Sequence, residues 1–67
     1  MKTTIKVLRK ERGISQADLA KELGVTRQTI ISIENERYTA SLMLAYRIAH
    51  FFGKSIEDVF DFSDVEE

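Results

Sequence analysis

The sequence predicts an all-α domain built from five helices. Apolar residues recur at intervals of three and four positions and nowhere alternate strictly, which is the spacing of helices and not of strands. Proline is absent, and each of the three glycines follows an apolar segment at a place where a helix can end. With 67 residues, the chain is expected to form a single domain over residues 1–67 with a small core.

The first helix is expected from Thr4 to Arg12. Thr3 or Thr4 can cap its start, and Gly13 can end it, because glycine adopts the left-handed backbone of a helix C-terminus. The inward positions of this helix are Ile5 and Leu8, with Val7 as a further candidate.

The second and third helices are bounded by capping signals. The Ser15 hydroxyl can cap the second helix, Asp18 completes a capping box, and Gly24 ends the helix. Thr26 can cap the third helix, which continues to about Asn35. The inward positions of the two helices are Leu19, Ala20, Leu23, Ile30 and Ile33.

The fourth and fifth helices show the same pattern. Ser41 can cap a helix that ends at Gly53, and Ser55 with Asp58 forms a second capping box ahead of a short fifth helix. The inward positions are Leu42, Ala45, Ile48, Ala49 and Phe52 on the fourth helix and Ile56, Val59 and Phe60 on the fifth.

Composition excludes several classes of protein. Without cysteine, neither disulfides nor thiolate metal sites are available. The apolar runs are far shorter than the roughly 18 residues that span a bilayer, and no charged-then-apolar leader opens the chain. A soluble cytoplasmic protein is therefore expected.

Charge is divided unevenly along the chain, although the formal net charge is only -1. Residues 1–12 carry five Lys or Arg against one Glu, whereas residues 54–67 carry one Lys against six acids. The acidic tail over residues 61–67 is either a solvated end that aids solubility or a means of repelling a polyanionic partner from the wrong face.

The two central helices lie in the segment SQADLAKELGVTRQTIISIEN, residues 15–35. Ala20 is expected where these helices cross, because a larger side chain would hold them apart, and Gly24 suits the turn between them. Together with the S-L that opens the fourth helix, this segment resembles the single-domain helix-turn-helix regulators related to phage lambda repressor and Cro. The resemblance covers residues 5–60 and implies a sequence-specific DNA-binding regulator of transcription, expected to be a repressor, that needs no cofactor.

The outer face of the third helix is the candidate base-reading surface. At about 100° per residue, Ile30, Ile33 and Glu34 cluster on one side of this helix. The opposite side and its N-terminal rim carry residues suited to base edges in the major groove, namely Arg27, Gln28, Ile31 and Ser32. Ile31 is either a contact for a thymine methyl group or an ordinary exposed apolar residue, and the Thr26 and Thr29 hydroxyls are alternatively used in capping.

A second set of residues is expected to hold the DNA backbone. The resemblance implies a phosphate contact for Gln16, whose amide lies at a helix N-terminus that suits an anion. The expected backbone-positioning residues are Gln16, Thr26, Thr29, Asn35, Arg37, Tyr38 and Ser41. The chain departs from the family pattern at Glu36, where glycine is common, and at Ala40, where proline is common, so the course of residues 36–40 stays open.

The resemblance also implies an ion pair, and the charge balance of the chain favours a dimer. Arg9 and Glu34 are expected to form a partly buried pair that orients the third helix. A monomer with a net charge of -1 should bind DNA weakly, so a symmetric homodimer on an inverted-repeat operator is expected. The candidate dimer contact is formed by Phe60, Phe62 and Val65, unless Phe62 folds back on its own core.

Two rival classes of function have less support in the sequence. An enzyme is not expected, because His50 is the single histidine, the three capping serines are accounted for, and no glycine-rich phosphate loop exists. A protein-interaction module, such as an antitoxin or coactivator domain with the same fold, remains the alternative. The apolar residues Met43, Tyr46, Phe51 and Phe62 favour it.

Overall fold

The computed structural model describes residues 2–37 and 40–61. Its helices are α1 (Ile5–Arg12), α2 (Gln16–Leu23), α3 (Arg27–Glu34), α4 (Leu42–Phe51) and α5 (Ile56–Val59), and its two short strands are β1 (Lys2–Thr3) and β2 (Phe60–Asp61). The prediction of an all-α, five-helix fold is confirmed. Tyr38, Phe62 and Val65, which were expected to contact DNA or a second copy, lie outside the described residues.

Both predicted capping boxes are confirmed. The Ser15 hydroxyl accepts from the backbone N–H of Asp18 at 3.0 Å, and the Asp18 carboxylate accepts from the Ser15 N–H at 3.4 Å. At the start of α5, Ser55 and Asp58 make the equivalent bonds at 3.2 and 3.3 Å. Each box satisfies two N–H groups that a helix start otherwise leaves without a partner.

The start of α1 is tied to the end of α5, which the sequence did not predict. The Thr4 hydroxyl does not cap α1; it donates to the backbone carbonyls of Asp58 at 3.1 Å and Val59 at 3.3 Å. Next to it β1 pairs antiparallel with β2, with Thr3 opposite Phe60. A ladder of two residues is too short to produce an alternating pattern, so only the tertiary structure reveals it.

The core is one apolar cluster at the centre of the five helices. Its buried residues are Ile5, Leu19, Ala20, Leu23, Ile30, Ile33, Ala40, Leu44, Ala45, Ile48, Ala49, Phe52, Val59 and Phe60. Two core predictions were wrong, because Leu42 is 79% exposed whereas Leu44 is buried, and Val7 is exposed. Phe60 is only 1% exposed, so this side chain belongs to the core of one copy and has no surface to offer a dimer contact.

The helix-turn-helix is formed by α2 and α3 as the sequence predicted. Gly24 ends α2 with φ 70°, in the left-handed region that glycine enters without steric cost. Ala20 is 3% exposed, which agrees with its expected place in the core near the helix crossing. Among the described residues, no helix is long and apolar enough to cross a membrane.

Candidate nucleic-acid interface

α3 buries one face and presents the other. Ile30 and Ile33 are fully buried, whereas the opposite side of the helix borders a shallow concavity. The residues that line this α3 concavity are Thr26, Gln28, Thr29, Ser32 and Arg37. It therefore combines four uncharged hydrogen-bonding side chains with one cation and includes no acid.

The threonines in the α3 concavity are engaged in the helix cap. The Thr26 hydroxyl accepts from the Thr29 N–H at 3.2 Å, and the two hydroxyls lie 3.0 Å apart. The Gln28 amide nitrogen donates to the Ser32 hydroxyl at 3.5 Å, the long limit of such a bond. Gln28 is exposed and can exchange this weak bond for one to a ligand.

Not all the candidate base-reading residues share the concavity. Arg27 is exposed at the first position of α3, and Ile31 is half-buried; neither lines the α3 concavity. Asn35, the last residue before the chain leaves α3, is exposed as well. The face thus consists of a polar concavity with Arg27 at one end of the helix and Asn35 at the other.

Behind this face, Glu34 is held by two other helices. Arg9 Nε donates to Glu34 Oε2 at 2.8 Å and Arg9 Nη2 donates to Oε1 at 3.3 Å, with the two side chains 12% and 3% exposed. Arg9 Nη1 also donates to the Ile14 carbonyl at 3.1 Å. The Arg9 guanidinium and the Glu34 carboxylate are therefore both hydrogen-bonded, and their contact holds α3 against α1.

Gln16 takes part in the same network, which sequence reasoning missed. Its amide nitrogen donates to Glu34 Oε1 at 3.1 Å. The two residues are 18 positions apart and meet only because α2 packs on α3, so no local pattern could have indicated the bond. One N–H and the oxygen of the Gln16 amide are still available to a ligand.

Ser41, a further residue expected to contact the DNA backbone, has a structural role in the fold. Its hydroxyl accepts from the Leu44 N–H at 3.2 Å and caps α4. The residue is exposed, so its own surface and the start of α4 stay accessible.

Glu36 adopts the backbone that glycine commonly supplies at this position. Its φ is 62°, its N–H donates to the Ile33 carbonyl at 3.0 Å, and the Arg37 N–H donates to the Ser32 carbonyl at 3.0 Å. These two bonds are the Schellman arrangement of a helix C-terminus. The course of residues 36 and 37 is thus defined: Glu36 itself adopts the left-handed conformation and completes the turn.

Elements of a reaction centre do not converge in the described part of the chain. Within residues 2–37 and 40–61, no three His, Cys, Asp or Glu side chains lie close enough to hold a metal ion. His50 stacks on Tyr46 with ring centroids 5.8 Å apart, at an exposed site on α4. The α3 concavity remains the described surface that combines several hydrogen-bonding side chains with a cation.

Sequence comparisons connect this chain to one family. A family model described as Helix-turn-helix matches residues 5–59. An uncharacterized HTH-type transcriptional regulator of Methanocaldococcus jannaschii is 53% identical over 66 residues, which span 98% of this chain and 100% of that protein. A regulator of the same description from Methanothermobacter thermautotrophicus is 54% identical over 61 residues, spanning 90% and 88% of the two chains.

A structural comparison agrees on the fold. The crystal structure of a hypothetical transcription factor from Neisseria matches with a TM-score of 0.73 at 24% sequence identity. The match covers 81% of this chain and 62% of that chain, so the Neisseria protein extends well beyond the shared fold.

Proposed function

We propose that this chain, which belongs to the helix-turn-helix family of DNA-binding transcriptional regulators, reads its operator by placing α3 in the major groove of duplex DNA. The observation that carries the proposal is the α3 concavity, which is lined by four uncharged hydrogen-bonding side chains and the cation Arg37, with no acid among them. The major groove accepts an α-helix and displays a distinct pattern of donors and acceptors for each base pair.

The proposed base contacts follow from side-chain chemistry. Arg27 can donate two hydrogen bonds to guanine, and Gln28 can pair with adenine through its amide. Ser32 can donate or accept, and Ile31 offers an apolar contact for a thymine methyl group. All four residues lie on α3, so this one helix would supply both the polar and the apolar base contacts.

The proposed backbone contacts surround that helix. Gln16 lies at the N-terminus of α2, where free N–H groups and the helix dipole favour a phosphate. Arg37, which follows the C-terminal end of α3, adds a cation. The further proposed contacts are Thr26, Thr29, Asn35 and Ser41, with Tyr38 outside the described residues. Such contacts orient the protein but do not distinguish sequences.

A homodimer in the cytoplasm that represses transcription is the form we propose for this regulator. One domain of this kind covers only about 600 to 1,000 Å² of its own surface on DNA. A net charge of -1 adds little attraction to phosphates, so one copy alone should bind weakly. Two-fold symmetry would place the two α3 helices about 34 to 36 Å apart on an inverted repeat, with half-site centres roughly 10 to 10.5 base pairs apart.

We propose that the contact between copies is formed by the tail residues Phe62 and Val65, which lie outside the described residues, and by an uncharged apolar groove beside α4. This α4 groove is lined by Leu42, Met43, Tyr46 and Ile56. Leu42, Met43 and Tyr46 are 79%, 68% and 55% exposed. A two-fold axis brings each surface against itself, and a groove without charges can meet its copy without like-charge repulsion.

Sedimentation equilibrium separates the two parts of this contact. If the tail carries the dimer, Phe62→Asp with Val65→Asp yields monomers, and if the α4 groove carries it, Met43→Asp does so. A wild-type protein that stays monomeric at micromolar concentration, with and without DNA, contradicts the dimer, whereas weak DNA binding that hardly depends on salt favours the rival assignment as a protein-interaction module.

Binding measurements with variants test the readout by α3. On the cognate duplex, Arg27→Ala and Gln28→Ala should each lose about 1 to 3 kcal/mol and relax base preference. Arg37→Ala should weaken all sequences alike and reduce the salt slope by about one. Lys54→Ala, which removes an exposed cation between α4 and α5, is the control and should change neither. Unaltered discrimination by the Arg27 and Gln28 variants would show that α3 is not the reader.

A further inference from the structure

The residue that follows α3 and its cap is an acid in an unfavourable place. Glu36 has φ 62°, a left-handed conformation that residues with a Cβ adopt at a steric cost. Its carboxylate also lies at the C-terminal end of α3, where the helix dipole disfavours negative charge. Glycine would avoid both costs, and a lysine or arginine would avoid the unfavourable interaction with the helix dipole. Folding alone therefore does not account for a glutamate here.

Among the residues that the structure describes, no partner compensates the Glu36 charge. The residue is exposed, and its carboxylate forms neither an ion pair nor a hydrogen bond with any residue of 2–37 or 40–61. Its effect must therefore be sought in what approaches this surface from outside.

Glu36 lies next to the face of α3 that is proposed above to contact DNA. Backbone bonds from Glu36 to Ile33 and from Arg37 to Ser32, both 3.0 Å long, fix the two consecutive residues at the end of α3. Arg37 and Ser32 line the α3 concavity. Consecutive Cα atoms are about 3.8 Å apart, so Glu36 is the direct chain neighbour of the cation of that concavity, although it is not itself one of the lining residues.

We propose that Glu36 attenuates the affinity of the α3 face for DNA of every sequence, an inference that rests on the DNA-binding function proposed above. The carboxylate offsets the attraction of the neighbouring Arg37 for phosphates, and this attraction is the part of binding that ignores sequence. Lowering it makes the protein depend on base contacts for tight binding. Cognate and non-cognate DNA are then both released at lower salt concentrations than they would be without the Glu36 charge.

Two substitutions separate the charge of Glu36 from its backbone strain. Glu36→Gln removes the charge and keeps the side-chain length and the left-handed strain, whereas Glu36→Gly removes both. Glu22→Gln is the matched control, because Glu22 is also exposed but lies on α2 beside α4 residues Tyr46 and Arg47. Each protein is titrated with the cognate duplex and an unrelated duplex at about 50 and about 200 mM salt.

Both Glu36 variants should bind both duplexes more tightly by a similar factor, about three- to tenfold at the lower salt concentration, with a smaller gain at the higher one. The ratio of cognate to unrelated affinity should not change, and Glu22→Gln should bind like wild type. Urea unfolding should show that Glu36→Gln is slightly more stable than wild type, because the charge at the helix C-terminus is gone, and that Glu36→Gly is more stable still, because the strain is gone as well.

Other outcomes overturn the proposal in distinguishable ways. If Glu36→Gln gains no more affinity than Glu22→Gln while Arg37→Ala loses affinity, attenuation is refuted and the DNA-binding face stands. If Glu36→Gln weakens the cognate complex alone, Glu36 accepts a hydrogen bond from a base and is a reader. If Arg37→Ala and Glu36→Gln both leave DNA binding unchanged, α3 is not the interface and both proposals fail.

Discussion

Removal of the Glu34 carboxylate should be among the most damaging single changes to this protein. Glu34 accepts three hydrogen bonds, from Arg9 at 2.8 and 3.3 Å and from Gln16 at 3.1 Å, and its side chain is 3% exposed. Glu34→Ala would leave the Arg9 guanidinium, 12% exposed, without its counter-charge. Leaving a buried charge uncompensated costs about 3 to 5 kcal/mol.

That cost is large for so small a domain. At about 0.05 to 0.15 kcal/mol per residue, a chain of 67 residues is stable by roughly 3 to 10 kcal/mol. In a domain of this size each kcal/mol shifts the melting temperature by about 4 to 8 °C, so Glu34→Ala should lower it by at least about 12 °C. Arg9→Met should be less damaging if Glu34 keeps its bond from Gln16, but still clearly destabilising.

Urea unfolding followed by far-ultraviolet circular dichroism measures these differences. The double variant Arg9→Met, Glu34→Leu is the control, because an apolar pair of similar size removes both charges and should cost much less than the two single changes added together. Changes below about 0.5 kcal/mol for both single variants would refute the reasoning, since they would mean that solvent already screens the pair.

Three further outcomes are expected. Leu44→Ala should cost about 2 to 5 kcal/mol in urea unfolding, whereas Val7→Ala, at a side chain that is 58% exposed, should stay within about 0.5 kcal/mol; equal costs would contradict the observed burial. Arg12 lies 5.2 and 5.4 Å from the ring centroids of Phe51 and Phe52, so Arg12→Gln should lower stability by about 0.5 to 1 kcal/mol, and an unchanged melt would leave these contacts without energetic weight. Replacing a thymine by uracil opposite Ile31 should weaken binding by up to about 1 kcal/mol in a fluorescence titration; an unchanged affinity would assign Ile31 no role in readout.

Local chemistry explains what the sequence could predict. A capping box needs only two residues three positions apart, so Ser15 with Asp18 and Ser55 with Asp58 could be assigned without tertiary information. The buried face of α3 could also be predicted from the sequence, because helical spacing puts Ile30 and Ile33 on one side and the polar residues on the other.

Tertiary packing decided what the sequence could not predict. Around α4, Leu42 and Leu44 lie about 70° and about 90° from the centre of the buried stripe, on opposite edges, so periodicity cannot select Leu44. The sequence placed Phe60 both on the inward face of the fifth helix and in the dimer contact, and only its burial beside the β1–β2 ladder decides for the core. The bond from Gln16 to Glu34 likewise depends on the contact between α2 and α3.

Selection of bound duplexes from a random pool tests the readout by α3 most directly. We expect wild-type protein to enrich an inverted repeat whose half-site centres lie about 10 to 10.5 base pairs apart, and Arg27→Ala with Gln28→Ala to lose base preference within each half-site. A pool that stays random with wild-type protein, or an unchanged motif with the double variant, would contradict the claim that α3 reads DNA sequence.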